Sequence, residues 1–447
     1  MAHTRDMTRG SPSGHIVLFA LPLMLGNVFQ QLYTATDAAI VGQFAGIQAL
    51  GAVGSADWPF WMWFSAIVGF MQGFSILIAQ RFGARDAAGL RRATATTILL
   101  ATGIALFFTV AGIAVVKPLL RLLDTNDLVF EMAADYLYIL FGGIGVTAAY
   151  NLLSALLRAV GNSRAPLYAM VAASLANIGL DFLFVVGFHW GVKGAAGATL
   201  LAQGGAALIC LFYARRIESL KLTRADFQMR RADVAMLFRL AFPMAFQNAL
   251  IAAGGMAVQY VINGLGFFYV AGFTATNKLY GVFEMAAVSY GYAVTTYAGQ
   301  NLGAKNHARI RHGVNRALLI SLATSAAIAG MMFLFGEALL RLFIEKSADP
   351  QVLYVAKRYL FTMAAILPVL YFLHVYRSAL QGMGDTVMPM VSGLGECAMR
   401  VGVAWALTYA IGATGIYYAE PAAWVGATII LAIAYYRRQR KFGGVRA

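Results

Sequence analysis

Charge is scarce in this chain: Asp, Glu, Lys and Arg make up 12% of its 447 residues, about half the share found in a soluble globular protein. That shortage excludes an ordinary water-soluble domain. Only two cysteines occur, Cys210 and Cys397, both in apolar segments, which excludes a disulfide framework and a cysteine-based zinc site. There is no H-E-x-x-H and no G-x-x-x-x-G-K-[ST] motif, and "GQNLGAK" matches the latter only superficially. Neither zinc-peptidase chemistry nor P-loop nucleotide binding is therefore legible. Apolar residues fill the chain instead, 60% of the total. They come in runs of about 20 or more, long enough to cross a hydrocarbon core as helix.

About twelve spans are predicted, near 15–45, 54–80, 93–116, 129–155, 166–188, 192–214, 236–263, 269–300, 315–338, 352–376, 388–410 and 413–436. The opening "MAHTRDMTRGSPSGHIVLFALPLML" carries bases before an apolar stretch. That stretch is too long for a signal peptide and lacks a small-residue cleavage site, so it reads as a first span.

The net charge of +15 raises the question of nucleic acid, but its placement answers otherwise. One alternate set of loops holds Arg5, Arg9, Arg81, Arg85, Arg91, Arg92, Arg158 and Arg164, then the run Arg215 to Arg239. It continues through Lys305 to Arg316 and Arg377 to the cluster Arg437 to Arg446. The other set holds only Lys117, Arg121, Lys193, Arg341 and Lys346. The positive-inside rule puts the first set and both termini in the cytoplasm, and an even number of spans requires both termini on one side, so the two readings agree. The basic balance is topological, and no nucleic-acid partner is expected.

The chain also repeats itself. "ALPLMLGN" from Ala20 matches "AFPMAFQN" from Ala241, with Pro22 opposite Pro243; "AQRFGARDAAGLRRA" from Ala79 matches "GQNLGAKNHARIRHG" from Gly299; "RAVGNSRAP" from Arg158 matches "QGMGDTVMP" from Gln381. The offsets are 221, 220 and 223 residues. An even number of spans separates the copies, so they share orientation. The expected fold is an all-α membrane protein, two six-helix bundles related by a parallel pseudo-twofold repeat. Its divisions are 1–214, a cytoplasmic linker 215–235 and 236–447. Architecture of this kind favours transport by alternating access.

Here the residues become familiar. "PLMLGNVFQQLYTATDAAIVGQFAG", "GQNLGAKN", "LLRAVGNSRAP" and "ANIGLDFLFVVGFHWGVKGAAGATLLAQ" resemble the multidrug and toxic compound extrusion (MATE) family over nearly the whole chain. The closing "GECAMRVGVAWALTYAIGATGIYYAEPAAW" resembles a bacterial branch of it. The resemblance implies secondary-active export of amphipathic, often cationic, small molecules, driven by proton or sodium entry across the plasma membrane. It implies a transporter and not an enzyme, with no cofactor beyond the coupling ion. The chain is expected to act as a monomer.

The first span carries an acid, Asp37, with no Lys or Arg nearby in sequence. Asn27, Gln30, Tyr33 and Thr34 share its helical face. An Asp at the bilayer centre costs about 2.5–3.5 kcal/mol on insertion scales, so it faces a bundle interior or cavity. An unpaired carboxyl in such a site can change charge with its surroundings. In the fifth span Asn177 and Asp181 lie four apart on one face, and Thr199 of the sixth can approach them. The resemblance implies that Asp37, Asn177, Asp181 and Thr199 form a polar network that binds a proton or, in some members, sodium. Their oxygen-rich set suits either ion.

The position matching Asp37 in the second half is Val258, so the halves are not equivalent. The eighth span offers Glu284 instead, with Tyr280 and Asn277 on its face. Glu396 and Arg400 stand four apart in the order that favours an ion pair, and read as structural. Pro22 removes a helix hydrogen bond, and the resemblance implies that it serves as a hinge. The aromatics of "DWPFWMWF", Asp57 to Phe64, read as an interfacial belt. One rival is a lipid-linked oligosaccharide flippase of the same superfamily, whose anionic cargo calls for arginines in a cavity; almost every Arg is expected in a loop. The other rival, a membrane-embedded enzyme, needs a catalytic cluster, and only scattered carboxylates are found.

Overall fold

The protein is described by a computed structural model that covers residues 4–345 and 349–443; Lys346 and Arg446, two cations used above, lie outside the described residues. These residues form thirteen α-helices and no strand. They are α1 (Pro12–Ile40), α2 (Ile47–Gly83), α3 (Ala87–Leu122), α4 (Asp127–Gly142), α5 (Ile144–Ala159), α6 (Arg164–Asp181) and α7 (Gly191–Arg215). After the linker come α8 (Arg231–Gly264), α9 (Phe267–Gly303), α10 (His307–Leu340), α11 (Pro350–Gly382), α12 (Val387–Ile411) and α13 (Ala419–Gly443).

α4 and α5 meet at Gly143 with a 48° bend and together fill the expected fourth span. Counting them as one gives twelve rods, each overlapping a predicted span; α1 and α6 end before the spans 15–45 and 166–188 do, and α13 starts after 413. Among the described residues nine stretches are long and apolar enough to cross a membrane by themselves, ten with the bent pair. α9 is not one of them, since it carries Lys278, Glu284 and many hydroxyl and amide side chains. α12 and α13 count as one continuous stretch, Val387–Phe442.

The helices outrun the predicted spans at many ends, because the arginines taken as loop residues sit on first and last helical turns. One case is a correction. Arg377, expected in a loop, lies inside α11 and is 9% exposed. The predicted span ends at 376, whereas the helix continues to Gly382 and points the guanidinium at the buried Glu396 of α12.

The linker, expected at 215–235, carries two short 3-10 turns, Glu218–Leu220 and Arg224–Phe227. Thr223 and Asp226 close the second turn with a capping box. The Asp226 carboxyl is held below its ordinary range by the Thr223 backbone N–H, then by the Thr223 hydroxyl and Arg91.

The repeat seen in the sequence recurs in the backbone. Gly46 and Gly266 precede α2 and α9 with φ of 94° and 95°. Arg85 and Lys305 both take φ of 56° in the turns after those helices. The following residues, Asp86 and Asn306, cap α3 and α10 by accepting from the backbone N–H groups of Gly89 and Arg309. Gly161 and Gly384 are left-handed in the third matching pair. There Asn162 and Asp385 accept from the N–H groups of Ala165 and Met388.

The chain divides into two compact units. One comprises Met1–Asp6 with Leu21–Ala249, the other Met7–Ala20 with Leu250–Ala447. The dividing points fall inside α1, one residue before Leu21 and two before Pro22, and inside α8. The structure thus assigns the start of each unit's first long helix to the opposite unit.

Close packing in the first unit depends on small residues, as membrane helices require. On α2, Gly69 and Gly73 meet Ala245 and Ala241 of α8. A Cβ on Gly69 would lie 2.5 Å from the Ala245 Cα, and one on Gly73 would overlap Ala241. The second unit is filled by aromatics: Tyr297, Tyr371, Tyr417, Trp424 and Tyr435 are fully buried, and Phe273 stacks on Tyr359 at 3.9 Å between ring centres. Large apolar side chains such as Phe107 and Leu334 are left exposed instead of polar ones, a surface suited to hydrocarbon.

A buried acid cluster as candidate functional site

Two departures from regular helix frame the site. α1 passes into a π-helical turn at Val41–Ala45, and α6 passes into another at Phe182–Gly187. The two turns pack on each other and on α7, with Phe44 edge-on to Phe182 at 6.2 Å. π-turns recur at functional sites because the inserted residue re-aims nearby side chains. Asp37 lies four residues before the first turn, and Asp181 immediately before the second.

The structure brings these acids together. Asp37, Asn177 and Asp181 are 8%, 1% and 0% exposed. The two carboxyls interact side chain to side chain, and Asp57 of α2 lies within Coulombic range of Asp37. Hydrogen-bond geometry is not reached: Asp37 Oδ1, both Asp181 oxygens, and both Asn177 side-chain atoms have no hydrogen-bond partner. No Lys, Arg or His forms an ion pair with any of them among the described residues. Buried polar atoms are rarely left unpaired, and five orphans from three side chains mark a place that a cation or proton can satisfy.

The other predicted residues divide. Tyr33 lies within Coulombic range of Asp37 and Asp181 and beside Gln203. Asn27 and Gln30 are half-buried on the same helix, while Thr34 is exposed and donates its hydroxyl to the Gln30 carbonyl at 3.0 Å. Thr199 is half-buried on α7, and no hydrogen bond joins it to the acids among the described residues.

Sequence reasoning missed three groups here. Tyr136 of α4 is buried within range of Asp37, Asp57 and Asp181. Gln203 accepts a hydrogen bond from Thr147 at 2.7 Å and lies against Tyr33. Asp57 heads the aromatic run that reads as an interfacial belt and is exposed; an acid within a predicted apolar span is itself the signal. The four-residue set with Asp57 holds no cluster of three His, Cys, Asp or Glu side chains arranged for a metal. A bound ion here would draw on amide and backbone oxygens as well.

The second unit treats its acids differently. Glu396 of α12 receives Arg377 at 2.5 Å and Arg400 at 2.8 Å, and Arg400 also reaches Glu420 of α13 at 2.9 Å. The expected Glu396–Arg400 pair is present but is only half of a four-charge network, all of it buried or nearly so. Glu284 is half-buried and lies 3.7 Å from His374, an ion pair when the imidazole is protonated. Tyr280 stacks on Trp424 at 5.6 Å; Asn277 is exposed, and Val258 is buried.

Comparison with known proteins fits this arrangement. The MatE family matches residues 22–183 and again 243–406, two copies whose starts are 221 residues apart. The chain is 31% identical over 393 residues to a Bacillus subtilis protein named "Probable multidrug resistance protein YpnP", covering 87% of this chain and 86% of that one. It is 25% identical to the "FAD transporter" of Shewanella oneidensis, covering 98% and 97%. A crystal structure of a MATE protein in complex with MaL6 superimposes with a TM-score of 0.92 at 23% identity, covering 98% of this chain and 99% of that one. With a family match over both halves of the chain and a relative 31% identical over most of its length, the chain belongs to the MATE family of membrane transporters.

Proposed function

We propose that the protein is a secondary-active antiporter that exports amphipathic, cationic small molecules in exchange for protons or sodium by alternating access. The observation that supports this most is the Asp37–Asn177–Asp181 cluster, buried, oxygen-rich and without a countercharge. In the proposed cycle the cluster gains a proton or sodium ion from outside, substrate affinity falls, and cargo leaves. The ion is then lost to the cytoplasm. Linkage makes the competition reciprocal: an ion that weakens cargo binding is weakened by cargo to the same factor. Asp37 and Asp181 carry the charge, Asn177 and Thr199 supply neutral oxygens, and Tyr33 and Tyr136 shape the site. α1 flexes at Pro22 as the site changes charge. Both termini face the cytoplasm, as the loop cations require, and one chain suffices for transport.

The test is substrate-dependent ion flux in proteoliposomes with proton and sodium gradients imposed separately. Wild-type protein should respond to one gradient, and Asp37→Asn to neither. Wild-type flux in Asp37→Asn would overturn the reading.

A second reading is export of an anionic cargo, whether a flavin nucleotide, as the name of the Shewanella relative invites, or a lipid-linked oligosaccharide. Lys278 of α9 favours it, being exposed and without an ion-pair partner among the described residues. Against the flippase version, the two arginines inside the second unit are already neutralised by Glu396 and Glu420. Counterflow of labelled flavin nucleotide against a labelled organic cation separates the two readings.

A further inference from the structure

A cavity of about 670 Å³ opens between the start of α12 and the end of α13 in the second unit. It is lined by Asp385, Met388, Ile430, Ile433, Arg437 and Lys441, with Arg438 and Phe442 completing its wall. Its volume lies in the range of small-molecule sites, about 300–1,000 Å³.

The lining on α13 follows the helical repeat. Ile430, Ala434, Arg437 and Lys441 are spaced by four, three and four residues, so they form one stripe along the helix. The stripe changes character midway. Ile430, Ile433 and Ala434 are apolar, and Ile433 is exposed. Tyr435 and Tyr436 follow, with the Tyr436 hydroxyl 3.2 Å from that of Tyr376. Tyrosines at the end of an apolar run mark the edge of the hydrocarbon. The cations begin one residue later. Ile430 and Arg437 are about 10 Å apart along the axis at 1.5 Å per residue.

The charges do not cancel. Asp385 is the one acid of the lining, and it is already engaged. It accepts from the Met388 N–H at 3.2 Å and pairs with Arg438 at 3.1 Å. Arg438 also donates to the Met383 carbonyl at 2.8 Å. Arg437 and Lys441 are exposed and have no ion-pair partner among the described residues. The lining therefore holds three cations and one anion, with two cations free to act on a ligand.

From this we infer that the groove is a binding site for an anionic phospholipid of the surrounding leaflet. Arg437 and Lys441 hold the headgroup phosphate, and Ile430 and Ile433 line the first part of an acyl chain. A soluble phosphate satisfies the cations but leaves the apolar stripe unused; a zwitterionic lipid uses the stripe but sets its own cation against Arg437 and Lys441. A lipid with a net negative headgroup uses both ends of the stripe without that opposition. The site is distinct from the acid cluster of the first unit and does not depend on the transport reading.

Native mass spectrometry of the detergent-purified full chain tests this. The protein is titrated with phosphatidylglycerol, with phosphatidylcholine of the same acyl chains, and with inorganic phosphate. Wild type should retain phosphatidylglycerol over phosphatidylcholine and should not lose it to inorganic phosphate. Arg437→Ala with Lys441→Ala should weaken retention about thirtyfold, at roughly a kilocalorie for each juxtamembrane cation. The charge-preserving pair Arg437→Lys with Lys441→Arg should keep it, and it separates loss of the site from loss of the fold. Equal retention of the two lipids, displacement by inorganic phosphate, or an unaffected double-alanine variant would each overturn the proposal.

Discussion

The two units bury acids at comparable depth and answer the cost in opposite ways. In the first, Asp37, Asn177 and Asp181 leave five side-chain atoms without hydrogen-bond partners and form no ion pair among the described residues. In the second, Glu396 is gripped by two arginines and Glu420 by one. A buried carboxylate beside guanidinium groups has its charge answered within the protein. One facing another carboxylate lacks that answer, which is why the proposed function gives it a proton or cation to bind. On the proposed function, the duplicated chain carries its ion-responsive acids in one copy, while charge pairs occupy the other. Val258, where the second copy has no acid, marks where the copies parted.

The largest effect should come from removing an acid of the first unit. Asp37→Asn and Asp181→Asn should each cut ion-coupled transport at least about tenfold, as expected for functional intramembrane acids, while thermal unfolding in detergent stays near wild type. A large fall in melting temperature with transport intact would reverse the contrast. The converse variant is Arg377→Ala, which leaves a buried charge uncompensated and should cost about 3–5 kcal/mol of stability, read from the same melts. An Arg377→Ala protein as stable as wild type would show that the network is not structural.

Gly73→Val comes next and probes the first unit's packing without touching its charges. Overpacking of this kind costs about 1–3 kcal/mol, and the Ala241 backbone offers no flexible atom to give way. If this variant lost transport as fully as Asp37→Asn with little loss of stability, the acid cluster would no longer be the special feature of that unit.

The smallest effect is expected in the linker between α7 and α8. Asp226 has a folded pKa below its ordinary 3.8, chiefly through the Thr223 N–H. Its contribution is present above about that ordinary value and lost as pH falls through the lower folded value. Proteolysis of the 215–235 segment should therefore be unchanged between neutral and mildly acid pH, and should rise only in strong acid. Asp226→Asn should abolish that rise. A change near neutral pH would mean another group governs the segment.

Most of the fold was open to sequence reading because hydrocarbon imposes one rule, that apolar runs must be helices. The repeat was equally legible: the matched turns at Arg85 and Lys305 carry the same backbone angle. One misreading comes from ending a helix at a charge: Arg377 reads as a loop residue, so its pairing with Glu396 is not visible in the sequence. His374 lies within the predicted span 352–376, but its partner Glu284 belongs to another helix, a contact no local pattern encodes. Asp37 and Asp181 were found because each breaks an apolar run. Asp57 was hidden by its aromatic neighbours, and Tyr136 and Gln203 belong to helices whose contact with α1 no local pattern encodes. The π-turns were invisible for a related reason, since a reading in steps of 3.6 assumes the register never slips.

The left-handed turns have a last consequence. Arg85 and Lys305 occupy a conformation that costs a residue with a Cβ about 1–2 kcal/mol and that glycine enters freely. Both copies nevertheless spend a cation there. If each is replaced by glycine, the hairpin should close more easily and the protein should lose two of the markers by which the insertion machinery reads which side is in. On the proposed topology, with these turns in the cytoplasm, folding ease and membrane orientation compete at that position, and both halves of the chain keep the cation.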